Sequence, residues 1–179
     1  MEHGTGVTTI SLALSNFLCS KRGKKTAYVE LNATNQICSL SPETGKESFL
    51  YMGITIFPCT TLTSISEILR MDFDYFILDM GVLNVYTAKE FAKCEKQFLV
   101  CSLNKWKRKP TIEKLSQLLK NTYMHQEDIT ILGNCSNKES NLTLSPSVRF
   151  RMISMPFITN PFQLHSEFFT FFEKILGQY

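Results

Sequence analysis

A three-layer α/β domain, with a mostly parallel sheet flanked by helices, is the fold class this 179-residue sequence predicts. Three observations carry the prediction. Short apolar runs alternate with helical or turn-rich segments along the whole chain, the signature of strand–helix–strand units. The run Tyr75–Asp79 (YFILD) is apolar up to its aspartate, as befits a strand covered on both faces. Gly4-Thr5-Gly6-Val7-Thr8-Thr9 opens directly into a helical pattern, a glycine-rich loop of the kind that joins a central strand to a helix. Only Met1, Glu2 and His3 precede that loop. The first central strand is therefore expected upstream of this start, or from a partner or another segment, because an empty central slot leaves two strand edges unpaired.

Taken in order, Thr8 to Lys21 reads as a helix, with Ile10, Leu12, Leu14, Phe17 and Leu18 apolar and Gly23 as its stop. Thr26 to Leu31 is a strand, followed by a turn-rich stretch through Ser41–Gly45. Gly53 to Pro58 is a second strand, and Ser64 to Arg70 a brief helix with a capping-box pattern, Ser64 then Glu67. After the strand ending at Asp79 come a helix from Val85 to Lys93 and a buried strand from Phe98 to Ser102. Asn104 to Pro110 reads as a basic turn, and Thr111 to Lys120 as an amphipathic helix. Strands at Ile129–Leu132 and Arg151–Met155 and a Phe-rich helix from Ser166 to Leu176 complete the chain. No repeat or linker interrupts it, so residues 1–179 are expected to form a single domain.

Composition bounds the function. Hydrophobic residues at 44% and charged residues at 20% are ordinary for globular proteins, which argues against disorder. A chain of this length buries about 70% of its unfolded surface and needs no staple. No apolar run is long enough for a membrane span, and the amino terminus lacks the basic end and apolar core of a signal peptide. A cytoplasmic location is expected. With 19 basic and 16 acidic residues the net charge is +3, too mild to point to nucleic acid. Cysteines 19, 38, 59, 94, 101 and 135 form no C-x-x-C pair and read as structural thiols. His3, His125 and His165 show no ligand spacing, and no nucleophile-elbow motif supports hydrolase chemistry.

The chemistry concentrates in the loop. Glycines at 4 and 6 let the backbone turn its N–H groups inward, and the helix amino terminus adds positive potential for a phosphate. Thr8 places a hydroxyl where such loops hold a magnesium ligand. Glu30 and Asp79 end apolar strands, where ligand sites form in open α/β sheets.

With Gly4–Thr9, then Tyr28-Val29-Glu30-Leu31-Asn32, then Asp74–Gly81, the chain resembles the MinD/ParA family, partitioning ATPases with a deviant Walker A motif in the SIMIBI class of P-loop proteins. The resemblance covers Gly4 to Asn32 and Gly53 to Asp79, and more weakly the last strand with Pro156. It implies ATP or ADP bound by Gly4, Thr5, Gly6, Val7, Thr8, Thr9 and Glu30, with Asn134 near the base and magnesium held by Thr8 and Asp79. Val7 stands where the family has its phosphate-contacting lysine, and Glu2 where a signature lysine reaches across a dimer. Asn32 replaces an aspartate that helps position the attacking water.

Phosphoryl transfer rests on positioning and on cations that neutralise the transferred group, so these departures imply a pseudo-ATPase. The expected function is a nucleotide-binding-like scaffold that localises or assembles partners, through a protein partner or a homodimer, with little or no hydrolysis. The alternative is an active ATPase or kinase of the same fold using a lysine from elsewhere, Lys105 or Lys107. A third reading, nucleic-acid binding through Lys105–Lys109, rests on charge alone. The terminal helix has only Lys174 against Thr170 and Glu173 on its polar side, which favours packing over membrane association.

Overall fold

The computed structural model describes residues 6–32, 34–41, 43, 45–102, 105–120, 126–134, 142–145 and 148–177. The chain divides into two compact units, one formed by Val7–Gly81 with Ile158–Phe169 and the other by the rest.

In the first unit, helix α1 (Val7–Asn16) buries Ile10, Leu12 and Leu14 and runs on into a π-helical turn, Phe17–Lys21. Strand β1 (Thr26–Glu30) is buried at every position. Strands β2 (Phe49–Tyr51) and β3 (Ile54–Phe57) form an antiparallel hairpin. Its two turn residues, Met52 and Gly53, have φ of 49° and 82°, the left-handed pair that matches the twist of adjoining strands. A Cβ on Gly53 would lie 2.8 Å from Cys19 Sγ, so the turn requires glycine for space as well as for φ. Helix α2 (Ile65–Ile68) leads to strand β4 (Tyr75–Asp79). The sheet order is β2-β3-β1-β4, with β1 parallel to both β3 and β4 in a register that sets Glu30 beside Asp79. Among the described residues β4 is hydrogen-bonded on one side only. Helix α1 packs on β1 and β4. The core includes Leu12, Tyr28, Ile37, Phe49, Ile54 and Ile56.

The returning segment Ile158–Phe169 is anchored in the same unit. Asn16 Nδ2 donates to the Pro161 carbonyl at 3.1 Å, and the rings of Phe17 and Phe169 lie 5.9 Å apart, those of Tyr51 and Phe162 4.9 Å.

The second unit contains helix α3 (Ala88–Ala92), strand β5 (Gln97–Ser102), helix α4 (Lys105–Lys120) and strands β6 (Ile129–Asn134), β7 (Leu142–Ser145) and β8 (Val148–Ser154). Their order is β5-β6-β8-β7, parallel except for β7. Helix α5 (Ser166–Leu176) buries Phe168, Phe171, Phe172 and Ile175. Each unit is thus a mostly parallel sheet with helices, the α/β class the sequence predicts. No helix among the described residues is long and apolar enough to cross a membrane.

Three local readings differ. The basic turn is helical from Lys105 onward, with Pro110 inside α4; Asn104 lies outside the described residues. The capping box at Ser64 does not form, because its Oγ donates to the Thr61 carbonyl at 3.1 Å and accepts from the Thr61 N–H at 3.2 Å. Strands β2 and β7 went unread, being three and four residues long.

Candidate functional site

Both β1 and β4 end in a carboxylate, and parallel pairing carries both ends to one edge of the first unit's sheet. Thr8, in the first turn of α1, meets that edge. Its Oγ1 donates to Asp79 Oδ2 at 2.7 Å. Tyr28, whose spacing of 51 residues from Asp79 gave no signal, donates its hydroxyl to the same oxygen at 2.7 Å. The Gly81 N–H donates to Oδ1 at 2.9 Å. Asp79 is fully buried, and its carboxylate is held by three internal donors. Burial first, and then the Asp79 charge, drive the Tyr28 phenol far above its ordinary pKa of 10.0, so it remains a donor.

Glu30 is also fully buried, but it faces the β3 side. Its Oε2 accepts the Cys59 N–H at 3.2 Å, while Oε1 accepts no hydrogen bond. Burial raises its pKa, and the Cys59, Ile37 and Gln36 N–H groups oppose the rise. Asn32 accepts both the N–H and the hydroxyl of Thr34 at its Oδ1, the N–H at 3.0 Å. Across from it, Gly81 has φ +57°, and a Cβ there would stand 2.7 Å from Asn32 Cβ.

Of the residues singled out by sequence, Thr8 and Asp79 are hydrogen-bonded and Glu30 is Asp79's neighbour in register. Val7 opens α1 and Thr9 follows in its first turn, both half-buried. Gly6 and Asn134 belong to the second unit, where a Cβ on Gly6 would lie 3.9 Å from Asn134 Nδ2 and 3.5 Å from Met155 Cε. Gly4, Thr5 and Glu2 lie outside the described residues. The hydroxyl of Thr8 and the carboxylate of Asp79 are hard oxygen donors of the type magnesium takes. Val7, in contrast, offers no charge to a phosphate.

Sequence spacing reads all six cysteines as structural thiols, with no pattern suited to a zinc site or a disulfide framework, but the fold brings two of them together. Cys38 sits in a 3₁₀ turn (Gln36–Leu40) after β1, and Cys59 lies just beyond β3 with φ of 51°. Their Sγ atoms are 2.9 Å apart and exposed. Only the parallel pairing of β1 with β3 brings them together, so a spacing of 21 residues concealed it. Cys101 is buried in β5, which pushes its thiol up to about 12; Cys135 lies outside the described residues.

No protein-family model matches the sequence. No curated protein matches it either. Solved structures do resemble the fold. A structure described as a plasmid partition protein of Borrelia burgdorferi B31, bound to AMPPNP, aligns with a TM-score of 0.63 at 15% identity, covering 98% of this chain and 93% of its own. A second plasmid partition protein structure from Borrelia burgdorferi gives 0.60 at 14% identity over the same shares. The cell division ATPase MinD of Pyrococcus furiosus gives 0.52 at 15% identity, covering 76% of this chain and 69% of its own. The chain therefore has an α/β fold like that of these plasmid partition proteins and of the cell division ATPase MinD.

Proposed function

We propose that this chain is a degenerate P-loop protein that uses the ParA/MinD-type fold as a scaffold for localising or assembling partners, a protein partner or a second copy, with little or no ATP hydrolysis. The observation that carries the reading is the Asp79 carboxylate, held by Thr8, Tyr28 and the Gly81 N–H, beside a helix that begins with Val7 instead of a cation. A metal-binding aspartate needs lone pairs directed at the ion or its waters. Here three of the carboxylate's roughly four lone-pair positions are taken by the protein's own donors, leaving one on Oδ1. Asn32 adds to this, since its Oδ1 is occupied by Thr34. The AMPPNP in the Borrelia neighbour supports nucleotide binding at this loop, and the missing charge at Val7 is the ground for reading that binding as weak.

Titration calorimetry with magnesium ATP, run beside a phosphate-release assay, tests the proposal. The expected result is weak or no binding and no turnover. Val7→Lys together with Glu2→Lys should tighten binding by about 10- to 100-fold, the worth of a charged hydrogen bond of ~1.5–3 kcal/mol. Micromolar binding with magnesium-dependent turnover that vanishes in Asp79→Ala would overturn the reading.

A further inference from the structure

The same edge of the first unit's sheet holds a second group of polar atoms, two thiols that the nucleotide reading leaves unused and the Glu30 carboxylate. Glu30 ends β1, Cys38 comes from the 3₁₀ turn that follows it, and Cys59 from the segment after β3. One ligand atom from each lies within 4.8 Å of the other two. The thiols are exposed, whereas the carboxylate is fully buried with Oε1 unpartnered. The Gln36 and Ile37 N–H groups lie near the carboxylate, yet Oε1 closes no hydrogen bond, and a buried carboxylate oxygen left so is costly, since most such atoms in folded proteins have a partner. Among the described residues no lysine, arginine or histidine forms an ion pair with any of the three.

The structure assigns these residues, we infer, a site for a thiophilic divalent cation of the zinc class, bound by Cys38 Sγ, Cys59 Sγ and the Glu30 carboxylate, with a fourth position open to solvent. An ion about 2.0–2.3 Å from each donor in tetrahedral geometry separates the donors by roughly 3.3–3.8 Å. The thiols, at 2.9 Å, need to part by about 1 Å, and the 4.8 Å envelope already accommodates the rest. Two thiolates select a zinc-class ion over magnesium or calcium. Their charge, added to that of the carboxylate, exceeds the +2 of the ion by one and leaves room for a neutral fourth ligand. On ligation each thiol releases its proton to solvent, so binding tightens as pH rises. The site shares Glu30 with the nucleotide contacts that the resemblance implies, but neither Thr8 nor Asp79, and it stands whether or not ATP binds.

Zinc and cobalt, added singly to the full chain after reduction with a phosphine and removal of metal, test the inference. Wild type should retain one zinc per chain through desalting. With cobalt it should show a strong thiolate-to-metal charge-transfer band and tetrahedral d–d absorption. Cys38→Ser with Cys59→Ser should abolish the charge-transfer band and weaken zinc binding by about 100-fold or more, the upper end of what losing even an outer-shell partner costs. Glu30→Gln should keep the band with a shifted d–d envelope and weaker affinity, and Cys94→Ser should change neither. Should the double variant fail to fold, zinc protection of Cys38 and Cys59 from alkylation in wild type, mapped by mass spectrometry, replaces it. Equal zinc binding by wild type and a folded double variant overturns the site. So does absence of protection, or a Cys38–Cys59 disulfide that forms in its place and leaves the reduced chain without metal affinity.

Discussion

Asp79 shows how one residue can be legible in sequence while its environment is not. An apolar run ending in aspartate marks a strand end at a ligand edge, and the structure puts Asp79 there beside Thr8. Tyr28 was invisible, because in a strand buried at every position a tyrosine reads as one more large apolar side chain. Its hydroxyl nevertheless donates to a buried charge, a bond stronger than a neutral one. Tyr28→Phe should therefore lower stability by ~1–3 kcal/mol, read as a reduced urea midpoint with unchanged slope. An unchanged midpoint would mean that the phenol contributes nothing to holding Asp79. The cysteine pair was hidden for a different reason. Spacing rules detect ligands on one turn or hairpin, whereas Cys38 and Cys59 follow two different parallel strands and meet only once those strands pair.

Elements follow their periodicity where they are buried and depart from it at edges and ends. The five residues of β1 and of β4 were readable because core strands form continuous apolar runs. Short β2 carries too few residues for an alternation to register, and its Leu50 is 72% exposed, which runs against any burial pattern. Helix α4 begins earlier than its composition suggests, since a proline reads as a boundary; at Pro110, the sixth residue, one ladder bond is lost and the helix continues past it. Strand position also sets local stability. β1 is paired on both sides and β4, among the described residues, on one. Amide exchange should be slowest at Thr26–Glu30, with β4 amides alternating between slow and fast according to whether they face β1. Uniform slow exchange along Tyr75–Asp79 would instead reveal a further strand on its other side.

For the whole molecule, chain order and unit membership differ. The strands of one sheet all fall between Thr26 and Asp79, and those of the other between Gln97 and Ser154. Among the described residues, neither sheet borrows a strand from across the Val82–Thr87 stretch, where Val85 is 64% and Tyr86 78% exposed. The backbone there tolerates interruption, since exposed loop tips are where cleavage and insertion succeed. Yet a cut would not release the amino-terminal piece. Ile158–Phe169 comes from the carboxyl-terminal piece and holds Asn16, Phe17 and Tyr51. The protein is thus suited to work as a split reporter: two polypeptides divided between Val85 and Tyr86, expressed together, should elute as one species and separate only in denaturant. Truncating the second polypeptide after Phe157 should abolish that association, and co-elution despite the truncation would show that the returning segment is not what clasps the halves.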